Sequence, residues 1–343
     1  MGNRRVRVAL VGAGARGQLF ADAIRGMPEV EIVGFADPAA PGEVLGYRCF
    51  HDHKALFGST EPDAVILATP DHQHAETVID AAQMGLHLLI EKPLATTADD
   101  TDSMVSVVQQ AGITCMTAFE NRWNPLFLEL KRLVEADPQS SIRYQRYNLS
   151  NALSVPTEVL SWAGHSSPLW FLMPHIVDLS QWISGKKVVS VSANGSRKVL
   201  SSHGIDTWDF VQVLARYDDG SSAALASSWI LPNASPSVVE FDYDIVLDNS
   251  RMRGQVLPNG IEYFDRGTPA TLEVPGATVG TLKITPPAMM ARNFIDVITG
   301  NAENGSTFEE GVYVNAVLLA IERSLMSGQV EEVVGHTETK GQK

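Results

Sequence analysis

Val6-Arg-Val-Ala-Leu-Val11 runs straight into Gly12-Ala13-Gly14-Ala15-Arg16-Gly17, and the reading of this stretch decides the fold. A short apolar run rich in valine suits a buried strand. The residues from Gln18 to Arg25 suit a helix that ends near Gly26 and Pro28. A Gly-x-Gly-x-x-Gly turn between a strand and a helix is the arrangement that receives a dinucleotide. Gly12 allows the tight turn, Gly14 lets backbone approach a diphosphate, and Gly17 lets the helix pack on the strand. Ala15 and Arg16 stand in the first helical turn, whose peptide N–H groups attract an anion. Asp37 follows Gly17 by 20 residues, at the end of a second apolar run, Glu31–Ala36. A carboxylate there bonds a ribose 2′-hydroxyl and repels a 2′-phosphate, so NAD is expected rather than NADP. The alternative is a turn residue before Pro38.

Outward from this turn, strand-like runs alternate with helical ones. Ala64–Ala68, Leu86–Ile90 and Ile113–Ala118 read as strands. Ala75–Met84 reads as a helix capped by Gly85, and Thr97–Gln110 as one started by Thr96, Thr97 and Asp99. Such alternation predicts an α/β domain with a doubly wound parallel sheet. Two strand ends then fall at the carboxyl edge, where ligands bind in open sheets. One is Thr69-Pro70-Asp71-His72-Gln73-His74; the other is Glu91-Lys92-Pro93. Thr69, Pro70, His74, Glu91, Lys92 and Pro93 are accordingly expected beside the cofactor. Lys92 can orient a hydroxyl, and Pro93 fixes the chain, with a cis bond before it as one option. His72 and His74 have no Cys or Glu at ligand spacing nearby, so no metal is expected.

After Arg122 the pattern changes. Leu126–Ala136 is helical, and period-two runs follow at Ile142–Leu149, Val188–Ala193, Phe210–Arg216, Ala223–Trp229 and Val238–Leu247. Tyr217-Asp-Asp-Gly220 signals a hairpin turn. Helical patterns return at Pro174–Ser184, Ala288–Thr299 and Glu309–Ser327. These features predict a second, α+β domain with a large open, mostly antiparallel sheet. The expected division is 1–121 for the nucleotide-binding domain and 122–343 for the substrate and oligomerisation domain. One sheet face should carry helices. The other, if apolar, calls for a second subunit, hence a homodimer or homotetramer.

Composition narrows the classes. A chain of 343 residues with 44% hydrophobic and 19% charged residues suits two globular domains. Its formal net charge of −14 argues against nucleic-acid partners. No apolar run approaches the ~20 residues of a membrane span. Met1–Arg5 before Val6–Val11 looks like the start of a leader, but the run is short and enters a glycine turn without a cleavage site. Cys49 and Cys115 are too few for a disulfide framework, and the cytoplasm is the expected compartment.

Taken together, these pieces resemble the glucose–fructose oxidoreductase, inositol dehydrogenase and rhizopine-catabolism (Gfo/Idh/MocA) family. The likeness covers nearly the whole chain. It is carried by Gly12–Gly17, Ala68-Thr69-Pro70 with His74, Ala82 to Gly85 leading into His87–Pro93, and Asn121-Arg122-Trp123-Asn124-Pro125. It continues through His175-Ile-Val-Asp178 before Trp182 and Gly185, Asp209 before Tyr217 and Gly220, and Phe294 to Gly328. The resemblance implies an NAD-dependent dehydrogenase or reductase of sugars, polyols or sugar-like compounds. It implies that Asn121 lies at the cofactor. It makes Lys92 the lysine between substrate and nicotinamide, His175 the catalytic histidine that takes the hydroxyl proton, and Asp178 a residue that contacts substrate or holds the histidine. Lys92 and His175 then come from different domains. Trp162, His165 and Ser166 fall in a loop expected to face the pocket, Trp162 being the candidate for substrate contact. One departure stands out: four residues before the histidine, where the family has an acid, this chain has Phe171. Two alternatives follow for the function. One is redox-assisted glycoside cleavage; the other is a ligand-sensing regulator without chemistry.

Overall fold

The computed structural model describes residues 4–256, 261–264, 269–272, 278–279, 282–283 and 285–335; Met1–Asn3 lie outside them. The chain forms two compact units. Met1–Trp123 with Thr278–Val312 makes the first, and Asn124–Ala277 with Tyr313–Lys343 the second.

In the first unit, β1 (Val6–Val11) leads into α1 (Ala15–Ile24), followed by β2 (Val30–Ala36), β3 (Glu43–Val44), β4 (Tyr47–Phe50) and α2 (His53–Thr60). Then come β5 (Ala64–Leu67), α3 (His74–Gln83), β6 (His87–Ile90), α4 (Ala98–Ala111) and β7 (Cys115–Thr117). The sheet runs β3-β4-β2-β1-β5-β6-β7, parallel throughout except at the β3–β4 hairpin. The strand order reverses about β1, between β2 and β5, which opens a crevice beyond the carboxyl ends of those strands. β5 is buried along its whole length, as a strand covered on both faces must be. The expected stop at Gly85 (φ +73°) follows α3, and at the expected start of α4 the Thr97 side chain accepts a bond from Asp100 N. Gly112 (φ +62°), not read in the sequence, ends α4.

Two elements here went unread in the sequence. The β3–β4 hairpin is too short for periodicity to register; it turns through Leu45 (φ +53°) and Gly46 (φ +83°). α2 buries only Leu56 and Phe57 and depends on Asp52, whose side chain accepts from Ala55 N at 2.7 Å.

The helix Pro286–Ile298 belongs to this unit, late as it is in the chain. Met290, Ala291, Phe294 and Ile295 are fully buried in one core with Phe20, Ala21 and Ile24 of α1. The segment after it covers the edge strand β7: Thr117 N donates to Ser306 O (3.1 Å) and Ser306 Oγ to Thr117 O (2.7 Å). Arg122 is buried, donating to Gly305 O (3.1 Å) and pairing with Glu310 (2.9 Å). A helical period tells that a segment is a helix, not which sheet it covers, so this return cannot be read from the pattern.

In the second unit, α5 (Pro125–Glu135), β8 (Ile142–Ala152), α6 (Pro168–Phe171), α7 (Met173–Ser184) and β9 (Val188–Ser196) precede a run of strands. These are β10 (Phe210–Tyr217), β11 (Ser222–Leu231), β12 (Val239–Leu247), β13 (Arg251–Gln255), β14 (Ile261–Phe264) and β15 (Pro269–Leu272). The nine-stranded sheet runs β15-β14-β13-β12-β8-β11-β10-β9, ending on the strand Glu331–Glu332. Among the described strands only β8 and β11 pair in parallel. Gly220 (φ +85°) closes the expected turn between β10 and β11. Tyr147, Tyr217, Trp229 and Tyr243 are fully buried, and α7 packs on β8 and β11. On the other face, Leu214 (66% exposed) and Tyr144 (46%) stand open beside the Arg146–Asp242 ion pair. No described helix is long and apolar enough to cross a membrane.

Candidate active site

The glycine turn is a backbone-on-backbone contact. A Cβ on Gly12 (φ +96°) would stand 2.4 Å from Ala68 O, and one on Gly17 1.9 Å from Gly12 O. At Gly14 the situation reverses, since a Cβ there meets nothing within 4 Å. α1 begins at this open point and no side chain caps its first turn, which leaves the peptide N–H groups of Ala15–Gly17 to an anion. Across the crevice the Thr69 hydroxyl oxygen is buried and has no hydrogen-bond partner among the described residues. An open glycine, an uncapped helix start and an orphaned hydroxyl fit a bound dinucleotide.

Asp37 lies beyond β2. Its Oδ2 accepts from Ala13 N (2.8 Å) and its Oδ1 from Ala39 N (2.9 Å), which fixes the carboxylate beside a cavity of about 450 Å³. Gly14, Gln18, Pro41 and the β3 residues Glu43 and Val44 also line that cavity. Two acids, Asp37 and Glu43, border it, and no Lys or Arg does among the described residues.

The two loops at the carboxyl edge are tied together by one ring. His74, 1% exposed, reaches Thr69 O through Nε2 (3.1 Å), and Pro93 O (2.9 Å) and Leu94 O (3.2 Å) through Nδ1. His74 thus braces the loops; the Lys92–Pro93 bond inside this frame is cis. Lys92 is partly exposed, and burial is the largest influence on its ammonium, holding its pKa below the ordinary lysine value. Asn121 lies in a single turn, Glu120–Trp123, beyond β7. Arg16 does not stand free for a phosphate: its guanidinium bridges Glu91 and Glu120. Glu120 went unnoticed in the sequence, where nothing marks it as a partner for a residue 104 positions earlier.

In the second unit, His175 occupies the first turn of α7, just after Pro174, and Asp178 lies buried one turn further on. Phe171 ends α6, four residues before the histidine. Its ring meets Trp162 (5.8 Å between centroids) and Trp229 of β11 (5.7 Å), both edge to face. The aromatic at the acid position is therefore part of a three-ring cluster. Trp229 was missed because it reads as an ordinary core residue of a strand.

Residues 6–119 match the model of the Gfo/Idh/MocA oxidoreductase family, NAD-binding Rossmann fold, and residues 127–249 match the Gfo/Idh/MocA C-terminal domain. The chain belongs to the Gfo/Idh/MocA family. It is an oxidoreductase with an NAD-binding Rossmann domain and a C-terminal, mostly antiparallel sheet domain. It is 30% identical over 200 residues to the 4-carboxy-2-hydroxymuconate-6-semialdehyde dehydrogenase of a Sphingobium species, a match covering 55% of this chain and 62% of that protein. The chain thus spans about three-fifths of that relative's length. Against the inositol 2-dehydrogenase of Rhizobium meliloti the identity is 25%, over 65% of this chain and 68% of the relative. The WlbA dehydrogenase of Bordetella pertussis, solved with NADH and UDP-GlcNAcA, superposes with a TM-score of 0.83 at 23% identity, covering 97% and 99% of the two chains. That last likeness speaks to the fold.

The contrast among the glycines gives a direct test. Gly14→Ala should fold with ordinary thermal stability, yet bind NAD at least tenfold more weakly, a loss of about 1.4 kcal/mol. Gly17→Ala should lower stability even without cofactor. Thermal unfolding of the unliganded proteins, with calorimetric NAD titration, separates the two.

Proposed function

We propose that this chain is an NAD-dependent dehydrogenase that oxidises a CH–OH group of a sugar, polyol or sugar-like compound. The observation that carries the reading is Lys92. It is a lysine of lowered pKa held at the carboxyl edge of β6, next to a glycine turn open at Gly14. The names of the two curated relatives, both dehydrogenases, support the same class. NAD rather than NADP is the cofactor, because Asp37 and Glu43 border the cavity beside Gly14.

Bound NAD supplies the hydride acceptor. Gly12, Gly14, Ala15, Gly17 and Asp37 would hold the dinucleotide, and Thr69, Pro70, Glu91, Pro93 and Asn121 would contribute to its site. The Lys92 ammonium donates to the substrate hydroxyl and orients it. His175 takes the hydroxyl proton as the carbon is oxidised, a task suited to a side chain that titrates near neutral pH. Asp178 steadies the histidine or meets the substrate, and Trp162 presents an aromatic edge to it. Phe171, fixed by two tryptophans, forms an apolar wall where the family carries an acid. His175 works without a second carboxylate at that position. The open face of the second unit's sheet, with Leu214 and Tyr144 exposed, is the surface through which a homodimer or homotetramer forms.

Three outcomes are expected. In titration NAD binds at least tenfold more tightly than NADP; the reverse order removes the assignment of Asp37. Light scattering at micromolar concentration gives a mass at least twice that of the chain, and a monomer refutes the sheet-face contact. His175→Ala lowers kcat by about 10²–10⁴ with NAD affinity nearly unchanged, whereas Phe171→Asp does not raise activity. Undiminished turnover by His175→Ala on a sugar or polyol that the wild type oxidises rules out its role as base.

A further inference from the structure

Arg16 is the one cation of the glycine turn, and the simplest expectation places it on a phosphate. Its guanidinium is engaged elsewhere. Nε donates to Glu91 at the end of β6, and Nη2 donates to Glu120 in the turn after β7. Both carboxylates are mostly buried, their side chains 8% and 19% exposed, and burial disfavours the charged guanidinium. Glu91 and Glu120 more than offset that burial, and the Arg16 pKa is raised above its ordinary value. The second oxygen of Glu91 accepts from the backbone N–H of Lys92 at 3.2 Å, so a single carboxylate links Arg16 to the peptide that carries the lysine.

Charged groups of this unit bear on the Lys92 ammonium. Glu91, Glu120 and Asp71 favour its charged form, and Arg16 opposes it. With Arg16 in place the three acids count as two. Without it, a lysine already penalised by burial faces all three.

We propose that Arg16 and Glu120 are positioning residues for Lys92: the guanidinium clamps Glu91 and Glu120, and the balance of these charges decides how strongly the lysine holds its proton. The proposal rests on reading Lys92 as the group that meets the substrate hydroxyl. The sign of each variant follows from the charge count and not from whether the lysine acts charged or neutral. Arg16→Gln leaves two uncompensated carboxylates and must raise the pH at which Lys92 loses its proton. Glu120→Gln removes a carboxylate and must lower it. Arg16→Lys keeps the charge and returns the midpoint towards wild type. A unit charge within about 4–6 Å of a titrating group moves its titration by about one pH unit or more.

Two measurements test it on the full chain. The first needs no substrate: lysines of the unliganded protein are pulse-labelled with acetic anhydride across a pH series, and the peptide carrying Lys92 is followed by mass spectrometry. The second is the pH profile of kcat/KM at saturating NAD for the same variants. The expected result is a labelling midpoint raised in Arg16→Gln, restored by Arg16→Lys and lowered in Glu120→Gln, with one limb of the activity profile moving alongside. A loosened fold would not give shifts of opposite sign. Midpoints that stay put, or move the same way in Arg16→Gln and Glu120→Gln, overturn the proposal. If the midpoints shift as stated and the activity limb does not, the clamp is upheld and the placing of Lys92 at the hydroxyl is refuted. Should Arg16→Gln not fold, the downward shift in Glu120→Gln and the wild-type-like midpoint of Arg16→Lys still decide it.

Discussion

Three stretches of backbone converge at the end of β1 with no room for a single Cβ between them. Gly17 lies on the Gly12 carbonyl, and Gly12 lies on the carbonyl of Ala68 at the end of β5. That approach aims the start of α1 at the crevice, and it settles much else. It places the Ala13 N–H where Asp37 can accept it, and so fixes the carboxylate beside the cavity. It also brings Arg16 within reach of Glu91. The loops after β5 and β6 are then joined through His74, so the turn, the acid and the lysine form one connected frame.

The electrostatics of that frame are economical in an acidic protein. The chain carries 40 acidic residues against 26 basic ones, yet the cation nearest the glycine turn is committed to carboxylates. An anionic ligand is left to uncapped peptide N–H groups, whose partial charges cost nothing in desolvated side chains. In the second unit the same restraint shows at Phe171. An acid there would need its own hydrogen bonds to be buried, whereas an aromatic ring between Trp162 and Trp229 needs none.

Much of this was legible in the sequence, where chemistry and local order coincide. The strand and glycine turn, Asp37, the caps Thr97 and Gly85, the strand-end motifs and the turn at Gly220 all declare themselves over a few residues. What stayed hidden depends on partners distant in the chain. Glu120 has meaning only through Arg16, Trp229 only through Phe171, and the β3–β4 hairpin only through the cavity it borders. The bond between His74 and the Pro93 carbonyl is equally unreadable, since it joins a side chain to a backbone atom of any sequence.

The return of the chain to its first unit bears on how the protein is made. Synthesis delivers the first 123 residues well before the helix Pro286–Ile298. Until that helix emerges, Phe20, Ala21 and Ile24 lack Met290, Ala291, Phe294 and Ile295, and β7 lacks the segment that shields its edge. The nascent nucleotide-binding unit therefore waits, with an apolar face and an open strand edge, while eight of the nine strands of the second sheet are translated. A truncation after Trp123 freezes that unfinished state, so the two units are nested in their folding and one cut cannot part them cleanly.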